Sequence, residues 1–349
     1  MLTGKIDKSN KNYTDNGSGL GLVFSGGGGK GAYEIGAWRA LEEFGVASNV
    51  AAISGASIGS LNAALFAQRD LAKAEYLWGN MTQDDVLHMT PEKAINIVRD
   101  ILLSAAIPAT AVLKLAAFLK RTGVFSREGL LKLMGENLDF RMVTKPALPI
   151  FATVRRKGTR QIKHYSLVNE TEERVRSILL ASSAIPVVFP PEKIDGGEWF
   201  DGGFPNIKGS NTPIAPVYKH GCKMIIAIML DMEALVDISA FPDATILFVY
   251  PQASNGGLIS GAMDFDGIHA ARRMDQGYED AVRILEPIYR MGVASARYTA
   301  ALEIAESQQE EFAVIRREMK AAQTETASEK KDAEVAIESL RSMEINSFR

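Results

Sequence analysis

The chain has 349 residues, and its 39 lysines and arginines nearly balance 42 aspartates and glutamates, giving a net charge of -3. This balance argues against a nucleic-acid binder held by bulk positive charge. Apolar residues make up 46% of the chain, enough for a large core, and the length favours one large α/β domain or two smaller ones. The single cysteine, Cys222, excludes an intramolecular disulfide and fits a reducing, cytoplasmic compartment.

The first 67 residues set the expected fold class. Residues 1–19 are polar and lack the apolar stretch of a signal peptide, so we expect a flexible leader. An apolar run at 20–25 predicts a first buried strand, and 30–44 predicts a helix. A second strand at 50–53 and a helix at 61–66 follow. This β-α-β-α order predicts parallel strand pairing and an α/β fold.

A mostly helical insertion is expected next, over residues 70–145. Within it, the apolar stretches 101–107 and 111–121 are candidates for a lid or a membrane-facing element, with core packing as the alternative reading. Pro108 is expected to divide them into two helices. No run of apolar residues is long enough to predict a membrane-spanning helix.

The rest of the chain alternates strands and helices before it becomes helical throughout. Thr171 is expected to cap a helix over 171–181. Further strands are expected at 149–154, 162–167, 224–230 and 245–250. From Tyr278 onward the pattern is helical, and 291–349 is expected to be a solvated helical extension that could mediate a homo-oligomer.

The segment Gly55-Ala56-Ser57-Ile58-Gly59 has the Gly-x-Ser-x-Gly form of a nucleophile elbow. It lies between a predicted strand and a predicted helix, which is the context that this motif requires. Small residues fit such a tight turn, and the helix N-terminus favours developing negative charge near the serine. A glycine-rich turn without catalytic function is the alternative for this segment.

A second glycine-rich loop, Gly26-Gly27-Gly28-Gly29-Lys30-Gly31, follows the first predicted strand. It is not a Walker loop, because Lys30 is followed by glycine rather than serine or threonine. It matches the Gly-x-Gly-x-x-Gly spacing of a dinucleotide site, but the next strand does not end in the expected acidic residue. Two readings remain: an oxyanion hole for Ser57, formed at the same sheet edge, and a tight turn without a ligand.

A nucleophilic serine needs a base, and none of the four histidines lies in a recognisable motif or at metal-ligand spacing. Asp201 is the better candidate. It follows two aromatic residues, which could desolvate it and raise its proton affinity, and it precedes Gly202 and Gly203. The alternative is an ordinary Asp-Gly turn.

These motifs, in this order, resemble the patatin-like phospholipase family. The resemblance covers roughly residues 20–285. The segments that carry it are Gly26–Gly31, Gly55–Gly59, Ala181-Ser182-Ser183-Ala184-Ile185-Pro186-Val187-Val188-Phe189-Pro190-Pro191, Asp201–Gly203, Asn206 with Asn211-Thr212-Pro213, and Gly277–Ala281.

The resemblance implies a three-layer α/β/α sandwich with a mainly parallel central sheet, and a catalytic domain over 20–290. It implies a lipid acyl hydrolase that cleaves glycerophospholipids through a Ser57-Asp201 dyad, without metal or organic cofactor. An oxyanion hole would come from Gly26, Gly27, Gly28 and Gly29, with the amide of Ile58. The supporting motif residues would be Lys30, Gly31, Gly55, Gly59, Gly202 and Gly203.

The partner implied by the resemblance is phospholipid at a membrane surface, with peripheral membrane association. Some bacterial proteins of that family are phage-defence effectors activated by cyclic nucleotides, so such a nucleotide is a candidate activator. The residues themselves indicate no nucleotide pocket. Two other readings stay open: a Ser-Asp-His esterase that uses His220 or His269, and a nucleotide-binding switch protein that uses the glycine loop.

Overall fold

The structure is a computed structural model that describes residues 19–86, 127–145, 147–186, 189–204, 206–207 and 209–347. The predicted leader therefore lies outside the described residues, except for Gly19. So do His88, Pro108 and both apolar stretches proposed as a lid or membrane-facing element. In the described part of the insertion, the segments between 71 and 86 and between 127 and 143 are mostly helical, as expected.

Eight strands and nine α-helices make up the described residues, numbered here in chain order. The strands are β1 Leu20–Phe24, β2 Val50–Ala56, β3 Ile150–Arg156, β4 Ile162–Ser166, β5 Glu192–Ile194, β6 Gly197–Asp201, β7 Met224–Ile228 and β8 Thr245–Val249. The helices are α1 Ala32–Glu43, α2 Ile58–Phe66, α3 Leu71–Asn80, α4 Gln83–Val86, α5 Arg127–Asn137, α6 Phe140–Val143, α7 Glu172–Ser182, α8 Ile214–Lys219 and α9 Gly267–Ser347.

The strands form one mixed sheet in the order β5-β6-β3-β2-β1-β7-β8, with β4 paired to β3. The five strands β3, β2, β1, β7 and β8 are parallel to one another. The strands β4 and β6 both run antiparallel to β3, and β5 runs antiparallel to β6. The prediction of a mainly parallel α/β sheet is confirmed. Parallel strands end at one edge of the sheet, so the loops after β1 and β2 lie side by side.

Alternate residues of the strands face two separate apolar layers, which defines the three-layer arrangement. On β1, Leu22 and Phe24 join the larger core, whereas Val23 joins the smaller one. The larger core packs against α1, α2, α3, α5 and α7, and the smaller one packs against α8 and the chain around residue 241. Cys222 is a buried free thiol in the smaller core.

Capping explains where two helices begin. The Thr171 side chain accepts a hydrogen bond from the Arg174 amide, as predicted for the N-cap of α7. The described chain is helical from Tyr278 onward, as expected, and the helix that contains this stretch, α9, begins earlier, at Gly267. Asp266 Oδ1 accepts the amides of Ile268 (2.9 Å) and His269 (3.3 Å), so its carboxylate starts the helix earlier.

Contacts within the chain divide it between Glu286 and Pro287. The expected domain limits near residues 290 and 291 stay a prediction. In the second unit, almost every described side chain from Ala301 to Ser339 is exposed, as expected for a solvated helix. No helix among the described residues is both long and apolar enough to cross a membrane.

Candidate active site

Ser57 is the single residue between β2, which ends at Ala56, and α2, which begins at Ile58. Its backbone has φ 53° and ψ -127°, in a region that non-glycine residues rarely adopt. Such a conformation costs about 1–3 kcal/mol and persists only where the surroundings enforce it. A strand, a strained serine and a helix in immediate succession form the geometry of a nucleophile elbow.

The two glycines that flank the elbow leave no room for a side chain. A Cβ atom on Gly55 would lie 2.4 Å from the backbone of Gly59, and one on Gly59 would lie 2.4 Å from the carbonyl oxygen of Phe24. These contacts involve backbone atoms, which cannot swing aside. The start of α2 therefore packs directly on the ends of β1 and β2, and this close approach holds Ser57 at the sheet edge.

Asp201 is the last residue of β6, which lies between the edge strand β5 and β3. We did not predict this strand from the sequence. Its residues alternate between faces, so Trp199 and Asp201 point to the buried side while Phe200 is only half-buried. Pairing with β3 places Asp201 opposite Val154. Asp201 therefore ends a strand, and a turn follows it at Gly202, where the Asp201 side chain accepts a hydrogen bond from the Gly203 amide.

The Asp201 carboxylate is buried, with 1% of the residue exposed, and it accepts a hydrogen bond from the Ser57 hydroxyl. It also accepts the amide of Gly203 at 2.7 Å and that of Phe204. Burial raises the pKa of Asp201 to about 6, and these hydrogen bonds and the charge of Arg155 limit the rise. A carboxylate with this pKa can accept a proton near neutral pH.

The glycine loop reaches the elbow from β1. A Cβ atom on Gly26 would lie 3.2 Å from Ser57 Cβ, and one on Gly31 would lie 2.7 Å from the Ile58 side chain. Residues Gly28–Gly31 form one 3-10 turn, and the first amides of such a turn have no acceptor within it. The amide of Gly26 is already used, since it donates to the carbonyl of Asn211 at 2.9 Å.

Two polar residues outside the predicted set of catalytic and oxyanion-hole residues hold this loop in place. Asn211 Nδ2 donates to the Gly26 carbonyl at 3.0 Å, and its Oδ1 fills the space beside Gly203. Arg273 is 7% exposed and donates to the carbonyls of Gly29 and Asp264. Asn211 belongs to a segment that we related to the family, whereas no sequence signal marked Arg273.

Gly28 and Gly29 are also required by packing. Gly28 has φ +57°, and a Cβ there would lie 2.0 Å from the carbonyl oxygen of Ala262. A Cβ on Gly29 would lie 2.0 Å from the carbonyl oxygen of Asp264. The loop therefore runs between the elbow and the segment that precedes α9. The side chain of Lys30, 6% exposed as a residue, forms an ion pair with Asp231.

None of the three histidines that the structure describes hydrogen-bonds to Ser57 or Asp201. His164 Nδ1 lies 3.0 Å from Thr153 Oγ1, and burial lowers the pKa of His164 to about 4. His269 bonds to Asp264, and the ring of His220 is 5.9 Å from that of Phe151. Within the described residues, no cluster of His, Cys, Asp or Glu is suited to hold a metal ion.

An apolar cavity of about 60 Å³ begins beside the elbow, at Ile58. Asn62 and Asn137 are the polar residues of its wall, and both use their amides elsewhere: Asn62 with Gly31, Glu34 and Trp78, and Asn137 with Leu133. The other lining residues are Ile58, Leu61, Leu65, Leu77, Trp78, Met81, Val86, Leu130, Leu133, Met134, Leu138 and Phe265.

Comparison with known proteins assigns the family. The family model of the patatin-like phospholipases matches residues 22–218, more than half of the chain. The chain therefore belongs to the patatin-like phospholipase family.

Curated relatives include patatin-like phospholipase domain-containing protein 7 of Rattus norvegicus and of Mus musculus. Each is 25% identical over 230 residues, which is 65% of this chain but only 15% of the relative's length. Among solved structures, VipD from Legionella pneumophila is 16% identical, with a TM-score of 0.38 over 77% of this chain and 67% of that one. Human GIVD cytosolic phospholipase A2, in complex with methyl γ-linolenyl fluorophosphonate, is 11% identical, with a TM-score of 0.40 over 78% and 58%.

The packing of the elbow leads to a paired prediction on stability. Gly59→Ala is expected to lower the free energy of unfolding by about 1–3 kcal/mol, because the new methyl group meets the carbonyl oxygens of Phe24 and Ser25. Gly79→Ala, within α3, meets open space and is expected to raise it by up to about 1 kcal/mol. Urea unfolding of both variants checks this. A Gly59→Ala variant as stable as the native chain would contradict the close approach.

Proposed function

We propose that this protein is a serine lipid acyl hydrolase that cleaves fatty-acyl esters of glycerophospholipids with a Ser57-Asp201 dyad. The observation that carries the proposal is the hydrogen bond from the strained Ser57 hydroxyl to the buried Asp201 carboxylate. Membership of the patatin-like phospholipase family supports the substrate class. The absence of a histidine contact to either residue, among the described histidines, favours the dyad over the Ser-Asp-His reading.

In the first chemical step, Ser57 Oγ attacks the ester carbonyl carbon while Asp201 accepts the hydroxyl proton. The tetrahedral intermediate then collapses, and Asp201 returns that proton to the departing lysolipid oxygen. An acyl group remains on Ser57. In the second step, Asp201 accepts a proton from water as the water oxygen attacks the acyl carbonyl carbon. The bond from that carbon to Ser57 Oγ then breaks, Asp201 returns the proton to Ser57 Oγ, and the fatty acid leaves the free serine.

The negative charge of the tetrahedral intermediate needs donors that are not engaged elsewhere. The Gly26 amide is bonded to Asn211, and the Ser57 amide is bonded to the Ser182 hydroxyl. We therefore assign the oxyanion hole to the amides of Gly27, Gly28 and Gly29, with that of Ile58 at the start of α2. Gly26 contributes its lack of a side chain, because a Cβ there would lie 3.2 Å from Ser57 Cβ.

The apolar cavity supports a fatty-acyl substrate rather than a small polar ester. It starts at Ile58, the residue after the nucleophile, and its two asparagines direct their amides to other protein groups. Burying methylene groups there gives about 0.8 kcal/mol each. We propose that the acyl chain occupies this cavity while the head group faces solvent.

Action on phospholipid requires peripheral contact with a membrane surface, which we propose together with a cytoplasmic location. The antiphage role, activation by a cyclic nucleotide and a homo-oligomer stay predictions. If the protein were instead a nucleotide-binding switch, the glycine loop would bind the phosphate of the nucleotide. The packing of Gly28 and Gly29 against the segment 262–264 favours the reading as a loop that frames the elbow.

Substitution of the dyad tests the mechanism directly. Ser57→Ala and Asp201→Asn are each expected to lower kcat on mixed phospholipid vesicles by about 10⁴-fold, because each removes a group that the proton transfer needs. His220→Ala and His269→Ala serve as controls and are expected to keep native activity. Mass spectrometry of released fatty acid and lysolipid is the measurement. Undiminished hydrolysis by Ser57→Ala would refute the mechanism.

The pKa of Asp201 sets the pH dependence. Only the carboxylate form can accept the Ser57 proton, so activity is present above the pKa and lost below it. We expect kcat/KM on a soluble ester to fall about tenfold per pH unit below pH 6 and to level off above pH 7. A flat profile between pH 5 and pH 7, measured on protein that stays folded over this range, would contradict Asp201 as the base.

The cavity predicts chain-length selectivity. Leu133→Trp is expected to fill the cavity and to lower the ratio of long-chain to short-chain ester hydrolysis by about tenfold. Leu235→Trp is the matched control, because Leu235 is 87% exposed and lies outside the cavity lining. Hydrolysis of p-nitrophenyl butyrate and palmitate gives the two rates. An unchanged ratio in Leu133→Trp would place the acyl chain elsewhere.

A further inference from the structure

The end of α7 contacts both residues of the proposed dyad. The Ser182 hydroxyl accepts the backbone amide of Ser57 at 3.1 Å. Two residues later, the Ala184 carbonyl accepts the backbone amide of Asp201 at 2.9 Å. These residues lie in the segment 181–191, which we related to the family from its sequence but which the proposed mechanism does not use. Ser182 is fully buried and Ala184 is 1% exposed.

The hydrogen bonds of Ser182 can be assigned in one direction only. Its hydroxyl has one proton, and that proton goes to the Thr153 carbonyl oxygen at 2.8 Å. The Ser60 hydroxyl, 2.8 Å away, must therefore be a donor to Ser182. Ser182 Oγ thus donates once and accepts twice, from Ser57 and from Ser60. Every hydrogen-bonding position of this buried hydroxyl is filled, which fixes its orientation.

The hydrogen bond between the Ser57 amide and Ser182 involves a strained backbone. Ser182 binds the amide of a residue whose backbone, with φ 53°, is in a conformation that serine does not favour. A hydrogen bond to a buried, oriented hydroxyl offsets part of that cost. Thr153, which anchors Ser182, precedes Val154, the residue paired with Asp201 across β3 and β6. One short segment thus contacts the elbow, the central strand and the strand of the proposed base.

We propose that Ser182 is a positioning residue of the acyl hydrolase. Its hydroxyl and the Ala184 carbonyl form a two-point clamp, which sets the separation of the Ser57 nucleophile from the Asp201 base by binding the backbone amide of each. The inference rests on the proposed dyad. It adds that the geometry of the dyad is imposed by a third segment, 125 residues from Ser57 in the chain.

The test compares Ser182→Ala with Ser183→Ala. Ser183 is the neighbouring residue, and its hydroxyl bonds within the helix to the Leu179 carbonyl, so this control makes the same chemical change away from the dyad. Ser60→Ala is a second comparison, because it removes one hydrogen bond of Ser182 but keeps the one to Ser57. Activity is measured on p-nitrophenyl butyrate, together with thermal unfolding and the rate of labelling by a fluorophosphonate.

Ser182→Ala is expected to lower kcat and the labelling rate by about 10- to 100-fold with little change in KM, because misplacement of the nucleophile affects the reaction rather than binding. Its kcat/KM profile is expected to move to higher pH. The Ser57 hydroxyl lowers the pKa of Asp201, and a displaced Ser57 loses that contact while Arg155 stays in place. Ser183→Ala is expected to keep native values, and Ser60→Ala to lose less activity than Ser182→Ala.

A Ser182→Ala variant with native kcat and native pH profile, beside inactive Ser57→Ala and Asp201→Asn, would overturn this inference alone. So would a loss of activity that only follows the folded fraction and leaves the pH profile unmoved, since a purely structural role predicts that result. Full activity in Ser57→Ala would overturn the proposed function, and this inference with it.

Discussion

The site depends on one hydrogen bond, from the Ser57 hydroxyl to a carboxylate that the fold keeps out of water. A buried charge is costly unless it is hydrogen-bonded, and Asp201 meets this requirement with Ser57 and the amides of Gly203 and Phe204. The balance between burial and these donors leaves its pKa near neutrality. Under the proposed mechanism, the same balance gives a base that is charged at pH 7 and still able to hold a proton.

The sheet brings these groups together from distant parts of the chain. The strands β1 and β2 are parallel neighbours, so the glycine loop and Ser57 emerge side by side at one edge. The strand β3 lies next to β2, and antiparallel β6 pairs with the far end of β3, which delivers Asp201 to that edge. β6 follows β5 through a short turn at residues 195 and 196, which is possible because antiparallel strands can be joined by a two-residue hairpin.

The sequence predicted the parallel core and the elbow because their signals are local. The apolar runs at β1, β2, β7 and β8 and the glycines around Ser57 each act within a few residues. The strand β6 was not predicted. Its five residues do not alternate cleanly between polar and apolar types, and a turn that contains glycine lies on each side of it. Asp201 was selected by its neighbours, but its contact with Ser57 depends on strand pairing, which a sequence does not encode locally. Arg273 acts through tertiary contacts and left no such signal, whereas Ser182 lies in the segment 181–191, which was related to the family without a role being assigned to it.

Three backbone amides at the site already donate hydrogen bonds within the protein, which limits the donors that could bind substrate. The amide of Ser57 donates to the Ser182 hydroxyl. The amide of Asp201 donates to the Ala184 carbonyl, and that of Gly26 to the Asn211 carbonyl. Each of these bonds fixes a segment that carries a proposed functional group, so none of these amides is free to bind substrate. The donors that remain for the proposed oxyanion hole are the first amides of the 3-10 turn and of α2. The first amides of a helix have no hydrogen-bond acceptor within that helix. The architecture thus separates amides that position the reacting groups from amides that would stabilise developing charge.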